Sequence, residues 1–378
     1  MPKMWKIKRE LRRLVSQVRE LRRLSKGPAN RKRYDRFERP KVITTDGAIS
    51  VGKDVAILLI YQPDGLLNSL FLTLEHLGEK GVAVVLVANH PLSDADIGRL
   101  TPHCSLIVQR PNVGYDFGGY REGVLTILDR GITPDTLFVL NDSVWFPLTR
   151  TCQLIDQAKE SSADVYGIFQ NTKNRQAKHH HLQSYFYRFK GHVVADVRFQ
   201  DFWRNMPFFD TKHLIIRQLE VKLTGAFSAM GYSVAARITP EQVMAAGMAL
   251  SDDELLAVAT YHGQTTLRGQ TIFAPVLASD PSQPDWQQIR NKAITQSRFR
   301  YYFIDAHPLV LFKYLDAPFL KKSREYHYYF QRDAVIAGAY HTGFDPIVQA
   351  ELLGWNDTGT PGLPESNRFP PISARAST

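Results

Sequence analysis

The feature that most constrains this chain is the alternation of short apolar segments with amphipathic ones. Strand-length apolar runs at 55–60 and 82–88 are each followed by a segment with helical spacing of its apolar residues. Short apolar runs bounded by turn residues are typical of strands buried on both faces. Repeated strand–helix units form a mostly parallel sheet with helices on both sides. The sequence therefore predicts an α/β protein.

The same alternation continues to about residue 170. Strands are predicted at 54–61, 82–88, 105–109, 136–140 and 164–169, and helices at 64–77, 93–100, 117–130 and 149–160. Beyond this point the pattern is less regular and richer in aromatic residues, with helical stretches at 211–230, 240–250 and around 307–329. In parallel sheets ligands bind beyond the carboxyl ends of the strands. The residues that directly follow each strand are therefore the first candidates for a site.

Basic charge is concentrated at the N-terminus. Residues 1–41 hold 16 Lys and Arg against 4 Asp and Glu, which leaves 31 against 33 for the rest of the chain. A folded body that binds nucleic acid carries basic residues across its surface, interleaved with aromatic ones. The body lacks this bias, so we expect no nucleic-acid partner. An RNA-associated protein that uses only the basic arm is kept as an alternative.

Residues 4–24 are predicted to form a basic amphipathic helix. Its apolar residues recur three and four apart, at Met4, Ile7, Leu11, Leu14, Val18 and Leu21. Such a helix can lie on an anionic membrane surface, pair with a second copy in a homodimer, or pack on its own domain. The excess of cations over glutamates favours the membrane. Gly27 and Pro28 are predicted to end the helix, with a charged linker at 30–41.

Cysteine content and hydropathy bear on the compartment. The two cysteines, Cys104 and Cys152, leave no room for a disulfide framework or a zinc cluster. No apolar run approaches the ~18 residues of a membrane span, and the N-terminus lacks the apolar core of a signal peptide. We therefore expect a cytoplasmic protein, peripheral at the inner face of the cell membrane through residues 4–24.

The first two post-strand segments point to a nucleotide. Tyr61 could stack on a base while Asp64 accepts a hydrogen bond from it; alternatively, Asp64 caps the next helix from a turn. The segment 110–120 places three glycines at a strand-to-helix transition, where backbone can approach a phosphate and helix N–H groups point at it. Its glycine spacing is not the dinucleotide fingerprint, which disfavours a Rossmann dehydrogenase.

The third post-strand segment, 140–144, places the carboxylate of Asp142 at the end of an apolar strand. A hard divalent cation bound by one or two carboxylates, and sharing its other positions with phosphates and water, neutralises a departing diphosphate. Asp142 is therefore a candidate ligand for Mg²⁺ or Mn²⁺. The alternative is that Asp142 caps the turn into the next helix.

Six motifs together resemble those of one family. In order they are NVGYDFGGYREG, LNDSVWFPL, HLQSYFYRFKG, FQDFWRNMP, LEVKLTGAFSAMGY and APFLKK, and they resemble the motifs of the rhamnan synthesis protein F family over about residues 55–325. The resemblance implies a GT-A-like, Rossmann-like glycosyltransferase of bacterial cell-surface polysaccharide (lipopolysaccharide or O-antigen) assembly. Its donor would be a nucleotide-sugar, often of a deoxyhexose such as rhamnose, and its acceptor a glycan or lipid-linked glycan. A catalytically weak glycan-binding or scaffold subunit is the alternative.

The resemblance also implies a domain organisation. A basic helix and linker (1–41) would precede a glycosyltransferase domain (42–355) with a nucleotide-sugar half (42–170) and an acceptor half (171–355). The tail at 356–378 holds four prolines among Gly, Ser and Thr and is predicted to be disordered.

Carried over residue by residue, the resemblance implies a donor site that contains Asn112, Gly114 and Asp116. With the post-strand residues, the candidate donor-binding set is Tyr61, Asp64, Arg110, Asn112, Gly114, Asp116 and Ser143. Asp142 would stand at the metal-binding region, where Asn141 and Ser143 flank one carboxylate in place of a full Asp-x-Asp.

Catalytic and acceptor residues follow from the later motifs. Glu220 resembles the acidic residue that serves as general base in inverting enzymes, where a carboxylate takes the acceptor proton; the alternative is a helix ion pair with Lys222 or Arg217. Side chains predicted to bind the acceptor or sugar are His181, Gln183, Ser184, Tyr185 and Trp203.

Overall fold

The computed structural model describes residues 4–172, 180–265, 267–297 and 306–357. The strands within these residues are β1 Ile43–Asp46, β2 Asp54–Ile60, β3 Val82–Ala88, β4 Leu106–Gln109, β5 Thr136–Asn141, β6 Val144–Trp145, β7 Val165–Asn171, β8 His181–Leu182, β9 Phe186–Lys190, β10 Val234–Ile238 and β11 Leu320–Lys321. The main sheet has the order β1-β4-β3-β2-β5-β9-β7-β10, with β8 on β7, and β11 pairs with β6 in a separate two-stranded sheet.

The helices alternate with these strands and then dominate the C-terminal part. They are α1 Met4–Phe37, α2 Asn68–Glu79, α3 Asp94–Leu100, α4 Tyr115–Asp129, α5 Leu154–Glu160, α6 Gly191–Ala195, α7 Val197–Asn205, α8 Lys212–Ile215, α9 Val221–Ala229, α10 Pro240–Ala249, α11 Asp252–Thr265, α12 Leu267–Ala278, α13 Trp286–Gln296, α14 Tyr326–Ala337 and α15 Pro346–Asp357. A π-helical turn, Ile216–Glu220, joins α8 to α9.

The sheet is mixed, with four parallel and four antiparallel pairings among the described strands, and its block β4-β3-β2-β5 is parallel as predicted. β2 pairs in parallel with β3 and β5, β3 with β4, and β7 with β10, while β9 runs antiparallel between β5 and β7. β1 and β8 are antiparallel to their neighbours. The carboxyl ends of β2, β3, β4 and β5 therefore meet at one edge, which is where such sheets bind ligands.

Both faces of the sheet are buried, which explains the continuous apolar strands. Along β2, Val55, Ile57 and Leu59 contact one helical layer and Ala56, Leu58 and Ile60 the other. The first layer contains α1, α4 and α6–α9, and the second α2, α5 and α10–α13. Alternate residues point to opposite faces of a strand, so burial on both sides removes the usual polar alternation. The prediction of a mixed α/β protein with an N-terminal helix is confirmed.

The predicted end of the N-terminal helix at Gly27 and Pro28 is wrong. Helix α1 continues through Pro28 to Phe37, so the predicted linker at 30–41 is helical over most of its length. A proline inside a helix costs about 3 kcal/mol, and tertiary contacts offset that cost here. Gly27 O accepts a hydrogen bond from Phe208 N at 3.1 Å, and Tyr34 is buried against the body.

Several other boundaries differ from the prediction. The helix expected from residue 64 begins at Asn68, and the one expected from 149 begins at Leu154, because turns precede both. Helices α11–α13 were not predicted. Most of the predicted disordered tail lies outside the described residues, as do the side chains of most of residues 4–19. Among the helices described, none is long and apolar enough to cross a bilayer.

Candidate active site

Asp142 lies where β5 ends, beside the end of β2. Its Oδ2 accepts hydrogen bonds from Tyr61 N at 3.1 Å and from Gln62 Nε2 at 2.9 Å. The Gln62 side chain in turn accepts from Leu67 N at 2.8 Å. Asp142 therefore does not cap the following helix, which begins twelve residues later at Leu154. It is fixed at the carboxyl edge of the sheet by the neighbouring strand's loop.

A chain of hydrogen bonds connects the end of β5 to α4 and β11. Lys321 Nζ donates to Ser143 Oγ at 2.7 Å, Ser143 Oγ donates to Asn141 Oδ1, and Asn141 Nδ2 donates to Asp116 Oδ2 at 3.2 Å. Each donor meets an acceptor, so the chain fixes the orientation of the Asn141 amide. Ser143, predicted to bind the donor, thus positions its neighbours.

Asp116 lies in the first turn of α4, next to the end of β5, and the region that it shares with Asp142, Glu220 and Lys321 is called the cleft. The residue as a whole is exposed, whereas protein atoms lie around its carboxyl group. Burial raises the pKa of Asp116 to about 6; Lys321 opposes this rise, whereas the negative charges of Asp142 and Glu220 add to it. The charges of Asp142 and Glu220 therefore both act on the Asp116 carboxyl group.

Glu220 ends the π-helical turn and is half-buried. Its proposed helix partners bind elsewhere: Lys222 Nζ donates to Gln218 Oε1 at 2.5 Å and Arg217 contacts Glu20. The predicted alternative, an ordinary ion pair within the helix, is therefore wrong. The charge of Glu220 instead acts on Asp116 and Lys321, and contributes to the raised pKa of Tyr185, for which burial is the main cause.

The glycine segment before α4 serves folding more directly than it serves a ligand. Gly114 has φ of +79°, a left-handed conformation that favours glycine. A Cβ atom on Gly118 would lie 2.1 Å from Val113 O, and one on Gly119 would lie 2.3 Å from Leu59 Cδ1. These two glycines therefore allow α4 to pack closely on its own loop and on β2. Gly114 itself is buried.

Arg110, predicted to bind the donor, is buried beside the glycine segment. It is 3% exposed, and its guanidinium donates to Tyr34 Oη at 3.0 Å, to Val113 O at 2.6 Å and to Asn89 Oδ1. Three of its five N–H groups thus have protein acceptors. Arg110 supports the glycine segment, and its role in donor binding stays a prediction.

Trp203, predicted to bind the acceptor or sugar, lies in the core. Its side chain is 0% exposed and packs on Phe117 with ring centroids 6.4 Å apart and planes 22° apart. A ring enclosed in the core cannot stack on a sugar. The Trp203 ring fills the core beside α4, and packing in the core is the more common role of aromatic side chains.

The predicted acceptor cluster is close to the three carboxylates but largely enclosed. Tyr185 is 4% exposed, its hydroxyl contacts Gln183 Oε1, and Lys321 Nζ lies 5.1 Å from its ring centroid. Ser184 O accepts from Tyr120 Oη at 2.7 Å, and His181 is buried on β8. The Tyr185 ring packs against Phe319 at 4.6 Å between centroids, so it forms a wall of the site and no open stacking platform.

The remaining predicted donor residues are exposed at the same edge. Tyr61 is 54% exposed, with its ring 6.0 Å from that of His90. Asp64 is exposed in a turn four residues before α2, so it does not cap that helix. Asn112 is exposed and accepts from Asn89 Nδ2 at 3.3 Å. These three residues are accessible to a ligand, and their roles in donor binding stay predictions.

Sequence reasoning missed Gln62, Asn89 and Lys321. Gln62 orients Asp142, and Asn89 connects Arg110 to Asn112. Gln62 and Asn89 both directly follow strands, so the post-strand rule that selected Tyr61 and Asp142 was also the signal for them. Lys321 belongs to the motif APFLKK, to which no role was assigned.

Asp142 could bind a divalent metal ion through its Oδ1 atom. Among the described residues, Oδ2 of this carboxylate takes both hydrogen bonds and Oδ1 takes none. The described ranges contain no group of three or more His, Cys, Asp or Glu side chains that could hold a metal ion. Mg²⁺ commonly uses one or two carboxylates and completes its shell with phosphates and water. The residues therefore fit an ion that a bound diphosphate would help to hold.

The fold and the cleft define an α/β protein with an acidic, lysine-containing site at the carboxyl edge of its sheet. The rhamnan synthesis protein F family model matches residues 84–259. The uncharacterized protein y4gN of Sinorhizobium fredii is 41% identical over 351 residues, which are 93% of this chain and 92% of that protein. The chain belongs to the rhamnan synthesis protein F family.

Two further similarities are more distant. Virulence protein VirA of Vibrio anguillarum is 32% identical over 132 residues, 34% of this chain and 40% of that protein. Among solved structures, a mannosyltransferase from Pyrobaculum calidifontis in complex with GDP-mannose and Mn²⁺ covers 90% of this chain and 88% of its own, at 10% identity and a TM-score of 0.29. A TM-score this low carries no argument about fold or function.

Proposed function

We propose that this protein is a glycosyltransferase that transfers a sugar from a nucleotide-sugar to a growing cell-surface polysaccharide. The observation that carries the proposal is the group of Asp116, Asp142 and Glu220: the charges of the last two act on Asp116, and none of the three is ion-paired to another described residue. Carboxylates left without cationic partners at the ligand-binding edge of a parallel sheet are available for substrate. Family membership supports rhamnose or another deoxyhexose as the sugar.

In this mechanism Glu220 is the general base. It takes the proton of an acceptor hydroxyl while that oxygen attacks the anomeric carbon, the bond to the diphosphate breaks, and the configuration inverts. Asp116 and Asn141, joined by their hydrogen bond, offer polar groups to the sugar hydroxyls. Tyr61 supplies an exposed ring for the base. A divalent ion on Asp142 would supply positive charge to the leaving diphosphate.

The first test is a thermal-shift panel. Melting temperatures are measured with dTDP-, UDP- and GDP-sugars, each with Mn²⁺ and with EDTA. A ligand at 100 times its Kd stabilises the folded state by about 2.7 kcal/mol, so the correct donor gives a clear shift. Sugar transfer to a glycan acceptor with that donor would support the proposal. If no nucleotide-sugar raises the melting temperature, a glycan-binding or scaffold subunit becomes the better hypothesis.

We also propose that the first part of α1 attaches the enzyme to the anionic inner face of the cell membrane. Residues 4–24 carry eight Lys and Arg against two Glu, and each cation near an anionic surface contributes about 1 kcal/mol. Leu21 is 64% exposed, which leaves apolar surface for lipid. Flotation with phosphatidylserine vesicles at low and high salt tests this. Equal binding to neutral vesicles would contradict membrane attachment through charge. A homodimer in which the helix is buried and does not bind vesicles would also contradict it.

A further inference from the structure

We propose that Lys321 binds the diphosphate of the donor. The inference rests on the proposed glycosyltransferase function and extends it, since neither the order of the motifs nor the position of the strands assigns a role to this residue. Lys321 lies 178 residues from its hydrogen-bond partner Ser143 in the sequence, so only the folded chain brings it to the cleft.

The short strand β11 fixes the position of Lys321. β11 pairs antiparallel with β6, in the register Lys321 with Val144 and Leu320 with Trp145. A further backbone hydrogen bond runs from Lys322 N to Ser143 O at 2.9 Å. The lysine is therefore held against the segment that contains Asp142, at the end of β5.

The ammonium group of Lys321 has unused hydrogen-bonding capacity. It has three N–H donors, and one of them is given to Ser143 Oγ. Within the described part of the chain it has no second acceptor and no ion-paired carboxylate. Asp116 and Glu220 act on it only through their charge. Two donors of a half-buried cation are therefore left for a ligand.

The chemistry of this arrangement favours an anionic ligand. An ammonium removed from water is costly unless it is paired and hydrogen-bonded, and the one hydrogen-bond acceptor of Lys321 among the described residues is a neutral hydroxyl. Asp116, whose pKa is influenced by Lys321, stands in the first turn of α4, where free backbone N–H groups also favour anions. In a nucleotide-sugar the anionic part is the diphosphate. Lys321 would bind it and stabilise the negative charge that develops as the sugar leaves.

The neighbouring Lys322 has a different role. It is 8% exposed, its Nζ donates to Ser69 Oγ at 2.8 Å, and it lies 5.6 Å from the ring centroid of Trp145. These contacts connect β11 to α2 and to the core. Lys212 offers a better comparison for Lys321, because it is an exposed cation that also acts on Asp116 and Lys321 through its charge.

The test compares a nucleoside diphosphate with its nucleoside, using UDP and uridine, GDP and guanosine, and dTDP and thymidine. Affinities are measured by calorimetry for the wild type, Lys321→Met, Lys321→Gln and the control Lys212→Met, with Mn²⁺ and again with EDTA. Lys321→Gln keeps a donor for Ser143, and circular dichroism checks that each variant is folded.

We expect both Lys321 variants to lose about tenfold to a hundredfold in diphosphate affinity, with nucleoside affinity unchanged and Lys212→Met close to wild type. Equal diphosphate affinity in wild type and folded Lys321→Gln would overturn the proposal and leave the glycosyltransferase function standing. An equal loss in Lys212→Met would also overturn it, since general charge would then explain the effect. If the wild type binds none of the nucleotides, the proposed function itself fails.

Discussion

Tyr34 and Arg110 join the N-terminal helix to the glycine segment of the candidate site. The Tyr34 hydroxyl accepts from Arg110 Nε at 3.0 Å and donates to Glu122 Oε2 at 2.9 Å, and burial raises the pKa of Tyr34 to about 12. The last turns of α1 are thus part of the folded body. The helix and the site share one buried polar network, and Arg110 belongs to that network.

The first prediction concerns the hydroxyl of Tyr34. Tyr34→Phe leaves Arg110 Nε and one oxygen of Glu122 without a partner in a buried setting, which costs about 1–3 kcal/mol. Urea denaturation measures the loss. Tyr166→Phe is the control, because this buried tyrosine makes no hydroxyl hydrogen bond to the described residues, and it should change stability by less than about 0.5 kcal/mol. An equal loss of unfolding free energy in both variants would show that the hydrogen bonds of Tyr34 do not stabilise the fold.

The second prediction separates the two parts of α1. A chain that begins at Leu21 should fold, because it keeps Leu24, the Gly27 hydrogen bond to Phe208 and the buried Tyr34, and loses only the ion pair of Glu20 with Arg217 among the described side-chain contacts of α1. A chain that begins at Val42 also loses Tyr34, the Asp35–Arg121 ion pair at 2.7 Å and the Arg39–Glu122 ion pair at 2.9 Å. Domains are stable by only about 5–15 kcal/mol, so the shorter chain should be insoluble or melt much lower. Equal melting temperatures would refute this.

The third prediction concerns Asp142. Asp142→Asn keeps an oxygen that can accept from Tyr61 N and Gln62, so the fold should be preserved, with a melting temperature within a few degrees of wild type. Loss of the negative charge should reduce turnover by about 10² to 10³, as for comparable charge-stabilising groups. Asp253→Asn, at an exposed position on α11, is the matched control. A folded variant with normal turnover would remove Asp142 from the mechanism.

The fourth prediction concerns Glu220. A base acts only on the acceptor, so Glu220→Gln should bind the nucleotide-sugar normally while transfer falls by about 10² to 10⁴. Calorimetry and a turnover assay on the same preparation separate the two effects. Asp201→Asn, exposed on α7, serves as control. Loss of donor affinity in the folded Glu220 variant would move this residue to the donor site, and unchanged transfer would exclude it as the base.

The fifth prediction is a pH dependence of stability due to Asp116. Its pKa is raised from 3.8 to about 6 in the folded state, so ionisation costs folding free energy as the pH rises from about 4 to about 6. Asp116→Asn removes that cost and should be more stable than wild type at pH 7 to 8, with no difference below pH 4. Two pKa units correspond to at most ~2.7 kcal/mol, and solvent screening should reduce the gain to ~1 kcal/mol or less. Denaturation curves at several pH values measure it, and a variant less stable at pH 8 would contradict it.

The sequence by itself determined the class of fold and the edge of the sheet that carries the site. Apolar periodicity is a local property, and it predicted the strands from β2 to β5 because each is buried on both faces. The carboxyl ends of parallel strands meet at one edge. Residues that follow neighbouring parallel strands, such as Tyr61 and Asp142, therefore lie close together. The glycosyltransferase hypothesis came from motif order and not from geometry.

Only the tertiary structure decided which polar and aromatic residues face the cleft. Arg110 and Trp203 were predicted together with the site residues, yet packing against α1 and α4 encloses both. Pro28 remains inside a helix because contacts with the segment around Phe208 outweigh its local cost. Lys321 reaches Ser143 across 178 residues of sequence. Such contacts depend on distances between remote segments, which local patterns do not encode.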